Sequence, residues 1–151
     1  MKRSKPHVGW REWLSLPDLG VAAVKAKVDT GARTSALHAW DVALRSSGGV
    51  TTVEFVLHPM QRSTRETIVC SAVVHEMRTV RNSGGDAEER PVIVTTARLA
   101  EHRWPIEIAL ARRDTMGFRM LLGRSAVRGR FVVDPGRSYL LGPRPERSPS
   151  S

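Results

Sequence analysis

The stretch that decides the fold is 21–32, with the sequence VAAVKAKVDTGA. Its first eight residues are small and apolar except for two lysines, a composition that predicts a strand leading into a loop. A strand that ends at Asp29 holds that carboxylate in a defined position, and Gly31 allows the backbone to turn tightly. Thr30 between them can hydrogen bond within the loop. The segment therefore predicts either a carboxylate that activates water or an ordinary Asx-type turn.

On both sides of this segment, short strand-like runs alternate with turn residues. The glycine pairs in 46–49 and 82–86 are interpreted as turns, although either could be a mobile covering loop. One helical turn is predicted at 124–128 and a tight turn at 134–136. We therefore predict an all-β protein, a small barrel that is either closed or folded over, with one short C-terminal helix. The predicted strands are 21–28, 36–45, 51–58, 68–80, 91–99, 104–110, 119–123, 131–133 and 138–141.

The composition is that of a single folded domain. The chain has 151 residues, of which 40% are hydrophobic and 26% charged, which excludes a disordered or collagen-like chain. No apolar run is long enough to span a bilayer or to form a signal peptide, so the cytoplasm is the expected location and no membrane partner is predicted. We expect a flexible N-terminus at 1–7, a folded domain at 8–142 and a disordered tail at 143–151.

Positive charge is the unusual feature of the composition. There are 24 Lys and Arg against 15 Asp and Glu, a formal net charge of +9. This excess favours a polyanionic partner, such as nucleic acid, ribosomes or an acidic peptide. Arginine-rich usage can also reflect genome composition alone, and the sequence leaves both explanations open.

Several classes of chemistry have no support in the sequence. The five histidines lack the spacing of metal ligands, and there is one cysteine, Cys70, which we interpret as a small core residue. A Gly-x-Ser-x-Gly elbow and the short phosphate-binding glycine motifs are also missing. We therefore predict no metal and no cofactor.

A second motif far along the chain changes the interpretation of the Asp-Thr-Gly loop. The segment 120–124, MLLGR, is an apolar strand that ends in glycine and leads into a helical turn. An Asp-Thr-Gly-Ala loop followed by a hydrophobic-hydrophobic-Gly-Arg unit that packs behind it resembles a retropepsin monomer. Over about 8–142 the chain resembles the bacterial retropepsin-like family that is associated with RimK-type glutamate ligases and often labelled "ATP-dependent zinc protease". The stretches that carry this resemblance are 9–17, 25–39 and 112–124.

This resemblance implies an aspartic peptidase with a retropepsin-like barrel. Such an enzyme needs two carboxylates about 3 Å apart that share one proton. The chain has one Asp-Thr-Gly, and we interpret Asp114 and Asp134 as structural turn residues, so the second Asp29 would have to come from another copy in a homodimer. Thr30 would then join the two loops across the two-fold axis, and Gly31 would line the substrate channel. Leu122, Gly123 and Arg124 would support the loop from behind.

The resemblance also suggests the substrate. The association with glutamate ligases points to a poly-glutamate or Glu-rich tail, for instance on a ribosomal protein. Ala32 and Arg33 follow the loop and are expected to contact the substrate, and Ala32 lacks a hydroxyl that could donate to the carboxylates, so we expect activity nearer neutral pH. Arg78, Arg81 and Arg90 flank the turn at 82–86, and we expect them to clamp substrate carboxylates. The alternative is a solvated basic hairpin.

Two other functions remain compatible with the sequence. One is a non-catalytic basic β-barrel that binds RNA or ribosomes; it is disfavoured because only 5% of the residues are aromatic and the four tryptophans are scattered. The other is a retropepsin fold that serves only as an interaction module.

Lys25 and Lys27 lie on the same strand face as Asp29 and either raise the positive potential near it or are simply solvated.

Overall fold

The structure, a computed structural model, describes residues 4–60, 65–81, 84–112 and 117–145. In these residues it contains twelve short strands, one 3-10 helix at Pro17–Leu19 and one α-helix, α1, at Arg124–Val127. The prediction of an all-β fold with one short C-terminal helix is confirmed. The strands are β1 (His7–Val8), β2 (Arg11–Leu16), β3 (Val21–Asp29), β4 (Ser35–His38), β5 (Trp40–Ser47), β6 (Val50–Leu57), β7 (Ile68–Val73), β8 (Glu76–Arg81), β9 (Ala87–Leu99), β10 (His102–Ala111), β11 (Met120–Gly123) and β12 (Val132–Val133).

Six of these strands form a closed ring. The large sheet has the order β10-β4-β11-β3-β2-β9-β8, and β9 also pairs with β10, so the sheet closes on itself. Strand β8 stays outside the ring as the second arm of a hairpin with β9. Strands β5, β6 and β7 form a separate three-stranded sheet, and β1 pairs with β12. Closure satisfies the backbone groups that an open sheet edge would leave unpaired.

The core fills the ring and extends under the three-stranded sheet. Strand β2 shows the alternation expected for a strand with one buried face, and Leu14 and Leu16 are fully buried. Strand β11 is buried at all four positions because it lies in the middle of the sheet. Cys70 is also in this core, as predicted. The largest fully buried apolar side chains are Leu14, Leu16, Phe55, Leu57, Ile93, Leu99, Ile108, Met120 and Leu122.

Two predicted strands are each divided in the structure. The run 36–45 breaks at Ala39 because β4 belongs to the ring while β5 belongs to the three-stranded sheet. Asp41, with φ of 53°, lies where the register with β6 shifts. The run 68–80 breaks between Val73 and Glu76 for the same reason, since β7 pairs with β6 and β8 pairs with β9.

The predicted glycine turns join paired strands. Gly48 and Gly49 have φ of 59° and 82°, and they connect β5 to β6 as a two-residue hairpin turn. The predicted turn at 82–86 falls between the paired strands β8 and β9, with Arg81 opposite Ala87. Its residues 82–83 lie outside the described part of the chain, as do 113–116, which include the predicted turn at Asp114, and 146–151 of the predicted tail.

The last predicted strand, 138–141, is wrong. These residues form an irregular segment, and a buried side chain binds their backbone N–H groups. The Glu12 carboxylate accepts hydrogen bonds from the N–H groups of Gly9 at 2.7 Å, Leu140 at 2.9 Å and Leu141 at 3.3 Å. Tyr139, with φ of 53°, stacks on Trp13 beside it. Glu12 is fully buried, and its hydrogen bonds join β2 to the C-terminal segment.

Neither helix in the described part of the chain has the length and apolar character needed to cross a membrane.

The Glu12 contact predicts a stability change. In Glu12→Gln one carboxylate oxygen becomes an NH₂ group that faces a backbone N–H, so one charge-assisted bond is lost and a buried donor remains unpaired. We expect the free energy of unfolding to fall by about 1–3 kcal/mol in urea denaturation. The matched control is Glu89→Gln on the exposed position of β9, which should change it by less than about 0.5 kcal/mol. Equal effects of the two variants would contradict a structural role for Glu12.

Candidate active site

The Asp-Thr-Gly loop is positioned by two parallel strands that end together. In the pairing of β3 with β11, Val28 lies opposite Leu122 and Asp29 opposite Gly123. Helix α1 starts directly after Gly123, and the N–H of Arg124 donates to the Ala32 carbonyl oxygen at 2.7 Å. Leu122 is fully buried beneath them. The loop therefore rests on a strand and a helix start, not on solvent-exposed backbone.

Gly31 lies in close contact with the Asp29 carboxylate. Its φ is not in the left-handed region, so the turn itself does not demand glycine. A Cβ at this position would lie 3.2 Å from Asp29 Oδ1, and the Gly31 N–H donates to the same oxygen at 2.9 Å. The missing side chain thus leaves room for the Asp29 carboxylate and brings a donor to it. The loop does turn tightly here, with the Ala32 N–H donating to the Asp29 carbonyl oxygen at 3.3 Å, but the backbone conformation of Gly31 does not itself demand glycine.

Gly123 is at the closest backbone approach in the site. A Cβ there would lie 2.6 Å from the Thr34 carbonyl carbon and 2.8 Å from the Ser35 nitrogen. The Gly123 N–H donates to Ser35 Oγ at 2.9 Å, and Ser35 is fully buried. Ser35 is a structural neighbour of the Asp-Thr-Gly loop that the sequence did not single out; its only signal was its place six residues after Asp29.

Arg124 connects the helix start to the loop. Its guanidinium donates to the Thr30 carbonyl oxygen at 3.2 Å, and the Ser125 N–H donates to the Arg33 carbonyl oxygen at 3.1 Å. Thr30 and Arg33 are exposed, and Asp29 is partly exposed. Both ends of the loop are therefore held, while the side chains that would meet a partner or a substrate remain accessible.

Other side chains that the sequence raised as candidates are in structural environments. Asp134 is in a turn, where its Oδ1 accepts the Gly136 N–H at 3.1 Å. Burial raises the pKa of the Cys70 thiol to about 11, which keeps it protonated at neutral pH, so it lacks the thiolate of a nucleophilic cysteine. Lys25 lies over the Trp13 ring, with Nζ 5.4 Å from the ring centre.

The three arginines of the predicted clamp do not share one face of the β8–β9 hairpin. Arg78 lies directly opposite Arg90, and side chains at opposite positions of an antiparallel pair point to the same face. Arg81 is three residues from Arg78 on the same strand, so alternation places it on the other face. Only Arg78 and Arg90 can act together on one ligand group.

Arg78 joins this hairpin to the base of the Asp-Thr-Gly loop. Its guanidinium donates to Thr34 Oγ1 at 3.1 Å, to both oxygens of Glu107 at 3.2 Å and to Glu76. The hydrogen bond from Arg78 and its charge, together with the charges of His75 and Arg33, hold the pKa of the Glu76 carboxyl below its usual range. Glu76 also raises the pKa of Arg78, so both groups are charged at neutral pH.

Glu76 and Glu107 lie beside the candidate site through their contacts with Arg78, and the sequence did not single them out. They are far apart in the chain, and Glu107 looks like an ordinary solvent-facing residue of an alternating strand; only the hairpin brings the two together. With His75 they form the one group in the described ranges whose side chains could hold a metal ion, with ligand atoms within 4.8 Å of one another. The Arg78 guanidinium already supplies a positive charge to both carboxylates.

A ring of strands that presents an Asp-Thr-Gly-Ala loop, supported from behind by a Leu-Leu-Gly-Arg strand and helix start, defines the retropepsin-like class of fold. A family model described as "Retropepsin-like aspartic endopeptidase RimB" matches residues 7–144. The chain belongs to this RimB-like family, as the resemblance in the sequence predicted.

Relatives of the chain are longer proteins with a ligase name. It is 42% identical over 142 residues to a "Probable alpha-L-glutamate ligase" of Shewanella halifaxensis, which covers 94% of this chain and 31% of that protein. A protein of the same name from Parasynechococcus marenigrum is 47% identical over 135 residues, or 89% of this chain and 29% of that one. The chain thus spans about a third of the length of the curated relatives it matches.

A solved structure supports the fold. The crystal structure of a Legionella pneumophila protein of unknown function superimposes with a TM-score of 0.74 and 23% identity. The match covers 90% of this chain and 98% of that one.

The close approach at Gly123 predicts the effect of adding one methyl group. In Gly123→Ala the new Cβ would push β4 away from β11, and we expect the free energy of unfolding to fall by about 1–3 kcal/mol in urea denaturation. The matched control is Gly136→Ala, where φ is unstrained and the nearest atom lies 3.6 Å from the added Cβ. If Gly123→Ala is as stable as the control, β4 and β11 do not pack as described.

Proposed function

We propose that this chain is an aspartic peptidase that works as a homodimer, with Asp29 of each of two copies forming the catalytic pair. The observation that carries this proposal is the Asp29 carboxylate, held by the Gly31 N–H in a supported and accessible loop. The sequence contains one such loop, while the chemistry needs two carboxylates. A symmetric dimer supplies the second one without any additional motif.

The reaction follows from two carboxylates that share one proton. The ionised Asp29 removes a proton from a water molecule as its oxygen bonds to the peptide carbonyl carbon. The protonated Asp29 of the second copy gives its proton to the carbonyl oxygen. The C–N bond then breaks as the Asp29 that took the water proton donates it to the leaving nitrogen. The other Asp29 takes a proton back from a hydroxyl of the tetrahedral diol as the new carbonyl forms, so the pair again shares one proton. In this arrangement Thr30 of each copy would join the two loops.

The substrate we propose is a glutamate-rich or poly-glutamate tail on a protein, for instance a ribosomal protein. Relatives that carry this domain in a longer chain are named as probable α-L-glutamate ligases, and a peptidase in the same chain would act on the type of bond that such a ligase forms. The net charge of +9 would attract an acidic tail. Arg33 and Ala32, next to the catalytic loop, would contact the tail.

Replacing the proposed catalytic carboxylate should abolish cleavage without unfolding the protein. In Asp29→Asn we expect cleavage of penta-α-L-glutamate, followed by mass spectrometry, to fall by at least about a hundredfold. Sedimentation should show the same dimer as the native chain. The control Asp134→Asn keeps the acceptor for Gly136 and should cleave within about twofold of the native rate. Full activity of Asp29→Asn would contradict the peptidase mechanism and favour a binding module.

The missing hydroxyl after the loop predicts the pH profile. Because Ala32 cannot donate a hydrogen bond to the carboxylates, we expect kcat/KM to be highest nearer to neutral pH than to strongly acid pH. Ala32→Ser adds a donor that stabilises the ionised form, so the acid limb of the profile should move down by about one pH unit. A native optimum below about pH 4, or an acid limb that moves up in the variant, would contradict this reasoning.

A further inference from the structure

Two arginines face each other on the arm of the barrel that lies next to the catalytic loop. Arg78 and Arg90 are directly opposite in the β8–β9 pairing and on one face. Like charges at such positions repel each other, so this arrangement destabilises the hairpin unless carboxylates lie close by. Glu76, Glu107 and Glu88 supply those carboxylates.

The two guanidiniums are not equally satisfied by these acids. Arg78 donates to Thr34, Glu107 and Glu76. Arg90 has one ion pair in the described residues, with 3.5 Å between its Nη2 and Glu88 Oε2, and its buried Nε–H has no acceptor there. The side chain is only 15% exposed, so an unmet donor is unfavourable. Arg90 is thus the guanidinium with remaining capacity for a carboxylate.

The acid on Arg78 is the one that can leave most easily. The Glu76 side chain is 46% exposed, and an ion pair between exposed groups contributes little to stability because water screens it. Glu107 is less exposed, at 36%, and its two oxygens both accept from Arg78. A carboxylate from outside could therefore replace Glu76 on Arg78 while Glu107 keeps the guanidinium in place.

We propose that Arg78 and Arg90 form a receptor for one glutamate side chain of the substrate, and that Glu76 occupies part of this receptor in the free protein. The receptor rests on the proposed function, since it selects the substrate of that same site. It lies beside the catalytic loop because Arg78 contacts Thr34, three residues beyond Gly31. The incoming carboxylate takes the place of the Glu76 carboxylate on Arg78, and the Arg90 side chain, whose Nε is buried in the free protein, turns so that its unmet Nε–H donates to the same carboxylate.

Binding to an inactive variant tests the receptor separately from catalysis. Titration calorimetry on the Asp29→Asn protein should show tighter binding of penta-α-L-glutamate than of penta-L-glutamine. Adding Arg90→Ala should weaken binding of the glutamate peptide by at least about tenfold and leave the glutamine peptide unchanged. Arg90→Lys keeps the charge but not the planar fork, and should recover only part of the loss. Arg103→Ala, exposed at the other end of β10, controls for the change in net charge.

Removing the competing acid should have the opposite effect. Glu76→Gln should tighten binding of the glutamate peptide by a few fold, whereas Glu89→Gln, on the other face of the hairpin, should do so by less than twofold. Equal losses in Arg90→Ala and Arg103→Ala, or equal gains in the two glutamine variants, would overturn the receptor. If the native chain cleaves the glutamate peptide but Arg90→Ala does not weaken its binding, the receptor is wrong and the peptidase proposal stands. If the glutamate peptide binds as expected but the native chain does not cleave it, the peptidase proposal is wrong and the receptor stands.

Discussion

The parallel contact between β3 and β11 is the constraint on which the rest of the site depends. It puts Asp29 beside Gly123, and Gly123 in turn lies close enough to Thr34 and Ser35 that no side chain fits between them. Because side chains alternate along a strand, a shift of one residue in this pairing would turn the faces of β11 over and move the helix start away from the loop. Strand β11, with its terminal Gly123, and Arg124 after it therefore act together to support the Asp-Thr-Gly loop.

Ring closure and the buried Glu12 carboxylate stabilise the part of the fold that contains the β3–β11 pair. The β9–β10 pairing closes the ring to which β3 and β11 belong. Glu12 joins β2 to the irregular C-terminal segment through the N–H groups of Leu140 and Leu141, and it also accepts from the N–H of Gly9. A buried carboxylate without a cation is unfavourable unless its oxygens are hydrogen bonded. Here backbone donors from both ends of the chain satisfy it.

The net charge of the whole protein differs from the charge balance around Arg78 and Arg90. The net charge of +9 would attract an acidic ligand over distance, but three glutamates surround the arginines next to the Asp-Thr-Gly loop. This arrangement keeps Arg78 ordered and leaves a buried donor of Arg90 unmet. Selectivity near the site would thus come from exchange of one carboxylate for another and not from an excess of positive charge.

The sequence by itself determined the class of fold, the Asp-Thr-Gly loop and the strand and helix start that support it. These depend on residues that act within short segments: a strand ending in Asp-Thr-Gly, a hydrophobic strand ending in Gly-Arg, and glycine turns, whose geometry is local. Tertiary structure alone decided three features: the breaks in the strands at 39 and 74–75, the irregular segment at 138–141 and the role of Glu12. Each depends on which distant segment supplies the hydrogen-bond partner. The arginines follow the same rule. Their presence near one turn was visible in the sequence, but the register of β8 with β9 decided that Arg78 and Arg90 share a face and Arg81 does not, and the ring placed Glu107 against them.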